Sequence, residues 1–113
     1  MQIIFESRDI DGRQMRELSV ERVRFTLRRM SAMVARAKVQ FSDINGPRGG
    51  VDKRCQIELS TEAVGTVVIA SLAQDWRTAL DQCLQRVTRV LTRGVQRKHK
   101  PLRGRTALLA LAS

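Results

Sequence analysis

The stretch TVVIASLAQDWRTALDQCLQRVTRVLTRGVQRKHK, residues 66–100, decides the fold because it holds both a strand and the last helix. Residues 66–72 are rich in β-branched side chains, which is typical of a strand. Asp75 then predicts the N-terminus of a helix that extends to about residue 98, shortly before Pro101. Apolar side chains recur on one side of this helix with a period near 3.6 residues, at Leu80, Cys83, Leu84, Val87, Val90 and Leu91. We therefore expect this helix to pack one face against a core.

Five cations follow a second side of the same helix, at Arg86, Arg89, Arg93, Arg97 and Lys100. Each residue turns an α-helix by about 100°, so the five positions fall within an arc of about 80°. Charges of one sign repel each other along such a row. The row is therefore either a solvated face or a surface for a polyanionic partner.

The composition points toward the same class of partner. A net charge of +10 in 113 residues, with a pI near 11.4, is typical of proteins that bind nucleic acid or an anionic surface. The chain has 17 arginines and four lysines, and the arginine side chain can donate two hydrogen bonds to one phosphate. An arginine-favouring genome would give the same composition, so the counts alone leave both explanations open.

The remaining elements precede this stretch. Residues 2–6 predict a short strand, and residues 35–42 and 54–59 alternate apolar and polar side chains as half-buried strands do. Residues 45–50 read as a loop. A helix is predicted over residues 13–33, capped by Asp11. Its broad apolar face consists of Met15, Leu18, Val20, Val23, Phe25, Leu27 and Met30.

The predicted order is β-α-β-β-β-α. It indicates an α+β fold with a mainly antiparallel four-stranded sheet and both helices packed on one face of it. We expect one domain over residues 1–100. Residues 101–113 form a separate apolar tail that packs on the domain or on another subunit.

The first helix carries further cations at Arg22, Arg24, Arg28 and Arg29. Two helices side by side would place them next to the first basic row and form a surface that follows a nucleic-acid backbone by shape. The three phenylalanines have the phase of core residues, so no platform for stacking bases is predicted. Trp76, in the first turn of the last helix, is expected to anchor that helix.

Catalytic chemistry is not indicated. The single histidine, His99, lies in a basic run, and no glycine-rich phosphate loop opens a helix. Cys55 and Cys83 are expected to be buried, reduced thiols of a cytoplasmic protein. We therefore predict a protein that is not an enzyme, with no cofactor, no metal site, no small-molecule substrate, no signal peptide and no membrane segment.

The segment at residues 69–81, IASLAQDWRTALD, resembles the last strand and helix of the ribosome hibernation promoting factor and ribosome-associated translation inhibitor family. The resemblance continues through Leu84, Arg86, Arg89, Leu91 and Arg93. The element order and residues 15–18 with Arg22 look like the short form of this family, over roughly residues 1–100. The resemblance implies a cytoplasmic protein of stressed or stationary-phase cells that binds the small ribosomal subunit near the decoding region. There it would occupy the channel for messenger and transfer RNA and silence idle ribosomes.

The same resemblance implies which residues contact RNA. By match to the family's basic positions, Arg22, Arg86, Arg89 and Arg93 would contact ribosomal RNA, and Arg97, Lys98 and Lys100 continue the basic end of the helix. Arg77 stands where many members have an aromatic residue. Gly94 interrupts the helix at a cost of about 1 kcal/mol relative to alanine.

Two other functions fit the residues. The first is a general double-stranded RNA-binding domain with no preference for ribosomes. The second is a protein-interaction module, in which the tail at residues 101–113 mediates assembly, for example as a homodimer, and the basic faces meet an acidic protein.

Overall fold

The computed structural model describes residues 1–44, 52–62 and 64–99. Its elements, in chain order, are β1 Gln2–Ser7, α1 Ile10–Arg13, α2 Arg16–Thr26, a 3₁₀ helix at Arg28–Met30, β2 Val34–Asp43, β3 Lys53–Thr61, β4 Thr66–Ala73 and α3 Trp76–His99. The predicted order is confirmed except that the first helix is divided. The loop predicted at residues 45–50 and the tail at residues 101–113 lie outside the described residues.

The four strands form one sheet in the order β1-β2-β3-β4. β1 is parallel to β2, with Phe5 opposite Val39, and a parallel pair needs a crossover, which α1 and α2 provide. The other two pairings are antiparallel: Val39 lies opposite Ile57, and Ile57 lies opposite Ile69. The sheet is therefore mixed but mainly antiparallel, as predicted.

Both helices cover the same face of this sheet, because one continuous core joins them to the inward residues of the strands. Among the core residues from the strands are Val39, Phe41, Cys55, Ile57 and Leu59. Val23 of α2 and its C-cap residue Leu27 join them. The core residues from α3 include Ala79, Leu80, Cys83, Leu84, Val87 and Leu91. α2 lies over β1, whereas α3 lies over β3 and β4. The predicted two-layer arrangement is confirmed.

The prediction of one continuous helix over residues 13–33 with Asp11 as its cap is wrong. Asp9 is the N-cap of the short α1, and a turn at Gln14 and Met15 separates α1 from α2. α1 lies so close to β1 that a Cβ atom at Gly12 would collide with the side chain of Ser7. Asp11 has a different role: its carboxylate accepts a hydrogen bond from the indole nitrogen of Trp76 at 3.0 Å.

Trp76 anchors the start of α3, as predicted. Its ring stacks on Phe41 at 4.8 Å between centroids, and Phe5 meets Phe41 edge-on at 5.1 Å. Phe25, the third phenylalanine, does not have the predicted core position, since 66% of it is exposed.

The outer face of the sheet is polar, as the alternation of β2 and β3 predicted. A ladder of hydrogen bonds crosses it, from Arg54 to Gln56, from Gln56 to Gln40 and from Gln40 to Glu6. The alternation fails only at the start of β2. A register shift between Val34 and Arg36 leaves Ala35 and Arg36 both exposed while Val34 is buried.

The turn from β3 to β4 holds the far part of α3 in place. Gly65 adopts a φ of 74°, which glycine tolerates, and its carbonyl accepts a hydrogen bond from the hydroxyl of Thr61 at 2.7 Å. The turn brings Val64 against Gly94, where an added Cβ atom would collide with a Val64 methyl group. Gly94 therefore does not end the helix; it makes room for the turn.

Candidate nucleic-acid interface

The start of α3 is fixed by a side-chain cap and by Trp76. The carboxylate of Asp75 accepts hydrogen bonds from the amide of Thr78 at 2.7 Å and from its hydroxyl at 3.0 Å. The hydrogen bond from the amide, together with that from the hydroxyl, lowers the pKa of Asp75. Because the first turn is fixed, so is the direction in which each later side chain of α3 points.

Arg89 is exposed on α3 and lies between two grooves. The interhelix groove lies between α2 and α3 and is lined by Arg22, Thr26, Asp81, Leu84, Gln85, Thr88 and Arg89. The strand-edge groove lies between α3 and β4 and is lined by Arg54, Ala70, Ser71, Leu72, Gln82, Gln85, Arg86 and Arg89. Arg89 and Gln85 line both grooves, so a ligand that follows either groove meets Arg89.

Arg86 extends from α3 to the edge strand β4. Its guanidinium donates a hydrogen bond to the backbone carbonyl of Ala70 in the edge strand β4, at 2.6 Å. The spacing predicted the place of Arg86 on the helix but not this hydrogen bond to the sheet. Arg86 remains exposed, but part of its hydrogen-bonding capacity is used within the protein.

Arg22 joins the two helices. One of its terminal nitrogens lies 2.6 Å from Asp81 of α3, and both side chains are about one-third exposed. Asp81 lines the interhelix groove together with Arg22 and Arg89. The ion pair lowers the net positive charge at the point where the helices meet.

The other predicted site residues differ in how fully the structure places them. Arg24 and Arg29 are exposed at the end of α2 and just after it, and Arg93 is exposed on α3. Arg28 is exposed and stacks on Phe25. Arg97 and Lys98 continue the α3 helix, but their side chains, like Lys100, lie outside the described residues.

A lysine and two aspartates lie close together near the N-terminus of α3. Lys53 contacts the carboxylates of Asp43 at 2.8 Å and Asp52 at 3.2 Å, and its ammonium lies 5.6 Å from the Trp76 ring. The hydrogen bond to Asp43 is the largest cause that raises the pKa of Lys53. Asp11 also contacts Trp76, so several carboxylates lie near the first turn of α3, which itself carries the exposed Arg77. Arg89 and Arg93 lie about 20 and 26 Å further along the helix axis.

The two thiols are core groups, as predicted. Cys55 and Cys83 are free and buried, and the Cys83 sulfur lies 3.3 Å from the carbonyl oxygen of Ile69. A hydrogen bond with Cys83, and then burial, raise the pKa of the Cys55 thiol. Over the described ranges, no group of three His, Cys, Asp or Glu side chains could hold a metal ion. None of the described helices is long and apolar enough to cross a membrane.

Sequence reasoning missed several parts of this surface. Phe25 is the clearest case: it was predicted to have the phase of a core residue, but it is exposed and lies about 200° round α2 from the buried Val23. The strand-edge groove is also lined by Arg54 and Gln85. No sequence pattern predicted this, because the groove exists only once α3 has packed beside β4.

Comparisons with known proteins test the fold. No protein-family model and no curated protein matches the chain. Among solved structures, a ribosomal subunit interface protein from Coxiella burnetii matches with a TM-score of 0.64 at 17% identity, covering 82% of this chain and 96% of that chain. The N-terminal domain of Thermus thermophilus Protein Y matches with a TM-score of 0.56 at 22% identity, covering 82% and 98%. The chain therefore has the fold of these two proteins, which confirms the fold that the resemblance predicted.

Proposed function

We propose that this protein is a ribosome-associated translation inhibitor. It binds ribosomal RNA of the small subunit through the exposed face of α2 and α3 and occludes the channel for messenger and transfer RNA. The observation that carries the proposal is the arginine-lined surface around Arg89, on the fold of a ribosomal subunit interface protein. The protein acts in the cytoplasm, where the ribosomes are.

The chemistry of the surface suits a phosphate backbone. Arg89 and Arg93 are exposed on one side of α3, and Arg24 and Arg29 are exposed on α2 and just after it. Each guanidinium can donate two hydrogen bonds to one phosphate. Side-chain or backbone groups of the grooves can fix the position of the protein along the nucleic acid. Gln85, Thr88 and Thr26 supply neutral hydrogen-bonding groups between the cations.

Inhibition needs no chemical step in this proposal. A rigid two-layer domain bound in the channel excludes messenger and transfer RNA by volume, and affinity comes largely from phosphates whose counterions are released. The tail at residues 101–113 is not required for this action. We expect a chain truncated after Lys100 to retain binding to the small subunit.

Salt dependence and charge reversal test the proposal in one assay. If about six phosphates are neutralised, affinity for purified small subunits should fall about a thousandfold between 50 and 200 mM salt. Charge reversal by Arg89→Glu or by Arg93→Glu should weaken binding. Each should also make the plot of log affinity against log salt concentration less steep, by about one or more. The matched control is Arg36→Glu, which reverses one exposed charge away from the helix layer and should change both quantities little.

The outcomes separate the alternatives. Co-sedimentation that survives charge reversal at Arg89 and Arg93 would exclude the proposed interface. A plain RNA duplex that competes as well as small subunits do would instead favour a general double-stranded RNA binder. Occlusion is tested by adding messenger RNA: the wild type should compete with it for the subunit, and Arg89→Glu should not.

A further inference from the structure

Phe25 lies at the end of α2 with its ring directed to solvent. It is 66% exposed, whereas Val23 and Leu27 on either side of it are completely buried. It lies about 60° round the helix from Arg22, whose side chain lines the interhelix groove. Phe25 therefore borders the proposed RNA-binding surface on its solvent side.

Arg28 holds this ring from one side. The guanidinium carbon lies 4.0 Å from the centroid of the Phe25 ring, and a terminal nitrogen donates a hydrogen bond to the backbone carbonyl of Phe25 at 2.7 Å. The hydrogen bond holds the guanidinium over the ring, and the cation is attracted to the ring's π face. The pair is preformed, so little side-chain freedom is lost when a ligand stacks on the ring.

The surroundings of the ring indicate the class of ligand. Single exposed apolar residues are common and alone signify nothing. Here, however, four arginines lie within four residues of Phe25, and Glu21 is the one carboxylate in that span. The arginines are Arg22, Arg24, Arg28 and Arg29. An apolar protein partner would leave these cations desolvated, whereas a nucleotide offers both a π face and phosphates.

We propose that Phe25, backed by Arg28, stacks on an unpaired base of the bound RNA, while Arg24 and Arg29 contact the adjoining phosphates. RNA presents such bases at bulges, loops and ends, where they can be taken up by aromatic side chains. This inference rests on the proposed RNA-binding function and adds to it a preference for an unpaired nucleotide at one place on the surface.

Two RNA hairpins of equal length test the preference, one fully paired and one with a single bulged adenine. The wild type should bind the bulged hairpin more tightly. Phe25→Ala should lower affinity for the bulged hairpin about 5- to 100-fold and affinity for the paired hairpin much less. Its salt slope should stay that of the wild type, because the ring releases no counterions. Phe25→Trp should restore the preference, because tryptophan keeps a π face.

The matched control is Val68→Ala, which removes an exposed apolar side chain from β4 (53% exposed) and should leave both affinities unchanged. Thermal unfolding should show that Phe25→Ala is folded, since the ring contributes little to the core. Equal affinities of wild type and Phe25→Ala for the bulged hairpin would overturn the inference, and so would an equal loss for both hairpins. If Arg89→Glu still weakens binding in those cases, the proposed function stands without the base contact. If the wild type binds neither hairpin nor small subunits, both fail.

Discussion

Asp75 fixes the start of α3 and therefore the direction in which the arginines of this helix point. Its carboxylate satisfies the amide of Thr78, which has no partner inside the helix, and thereby fixes the first turn of α3. The sequence predicted this role correctly, because an acidic residue before an amphipathic run is a strong helix-start signal. The direction of Arg89 and Arg93 depends on this start.

The lowered pKa of Asp75 gives a pH prediction. A carboxyl whose pKa is lower in the folded state than its ordinary 3.8 stabilises the fold above that pH, and this stabilisation is lost as the pH falls through the folded pKa. Asp75→Asn keeps an acceptor for Thr78 but cannot ionise. In urea unfolding, we expect the wild type to be the more stable of the two at pH 6, with the difference shrinking below about pH 4. A difference that is the same at pH 6 and pH 3 would contradict this role.

Gly94 gives a second prediction at the scale of one residue. In an isolated helix Gly94→Ala would stabilise by about 1 kcal/mol. In this protein the new methyl group collides with Val64, so we expect Gly94→Ala to destabilise by about 1–3 kcal/mol, as overpacking does. Val64→Ala removes the colliding methyl group. The double variant should therefore recover stability relative to Gly94→Ala alone, as measured in a double-mutant cycle by thermal or urea unfolding.

At the scale of elements, the sequence predicted α3 well and the first helix poorly. For α3, the cap at Asp75 and the apolar period agree, and the observed helix Trp76–His99 ends within one residue of the prediction. From Met15 to Met30 the apolar residues are spread so widely that no phase is distinct. The break there comes from the approach of α1 to β1 at Gly12, which is a tertiary contact that no local pattern records.

Tertiary contacts also limit how much of the site could be predicted from the sequence. That α2 and α3 each carry arginines could be read from their spacing. The direction of Arg86 could not, because its partner is a backbone carbonyl in β4 whose position depends on the order of the strands. The pairing of Arg22 with Asp81 likewise depends on the distance between two helices that are far apart in sequence.

The ion pair between the helices gives a prediction that joins stability to binding. Asp81→Asn should lower the free energy of unfolding by no more than about 1 kcal/mol, because the pair is partly exposed. The same variant should tighten binding to small subunits, since it frees Arg22 and removes a negative charge from the groove. Glu58→Gln, on the outer face of the sheet, removes one negative charge elsewhere and should tighten binding less. Equal effects of the two variants on affinity would mean that net charge alone is responsible.

The whole molecule is a sheet covered on one face by two helices, with carboxylates near the start of α3 and exposed arginines along its later turns. Acidic groups gather round Trp76 at the start of α3, and exposed arginines lie about 20–26 Å further along. A net charge of +10 establishes attraction to polyanions in general. The positions of the carboxylates and arginines along α3 also determine which side of the protein is attracted most strongly.

This separation of charge makes the protein an electric dipole as well as a cation. If the protein binds ribosomal RNA as proposed, the field of the RNA favours approaches in which the arginines of α3 face it. Collisions then begin more often with the binding face forward, and the gain appears as faster association rather than as slower release. The carboxylates of Asp43 and Asp52, which lie on Lys53, would then contribute to binding by orienting the protein before contact.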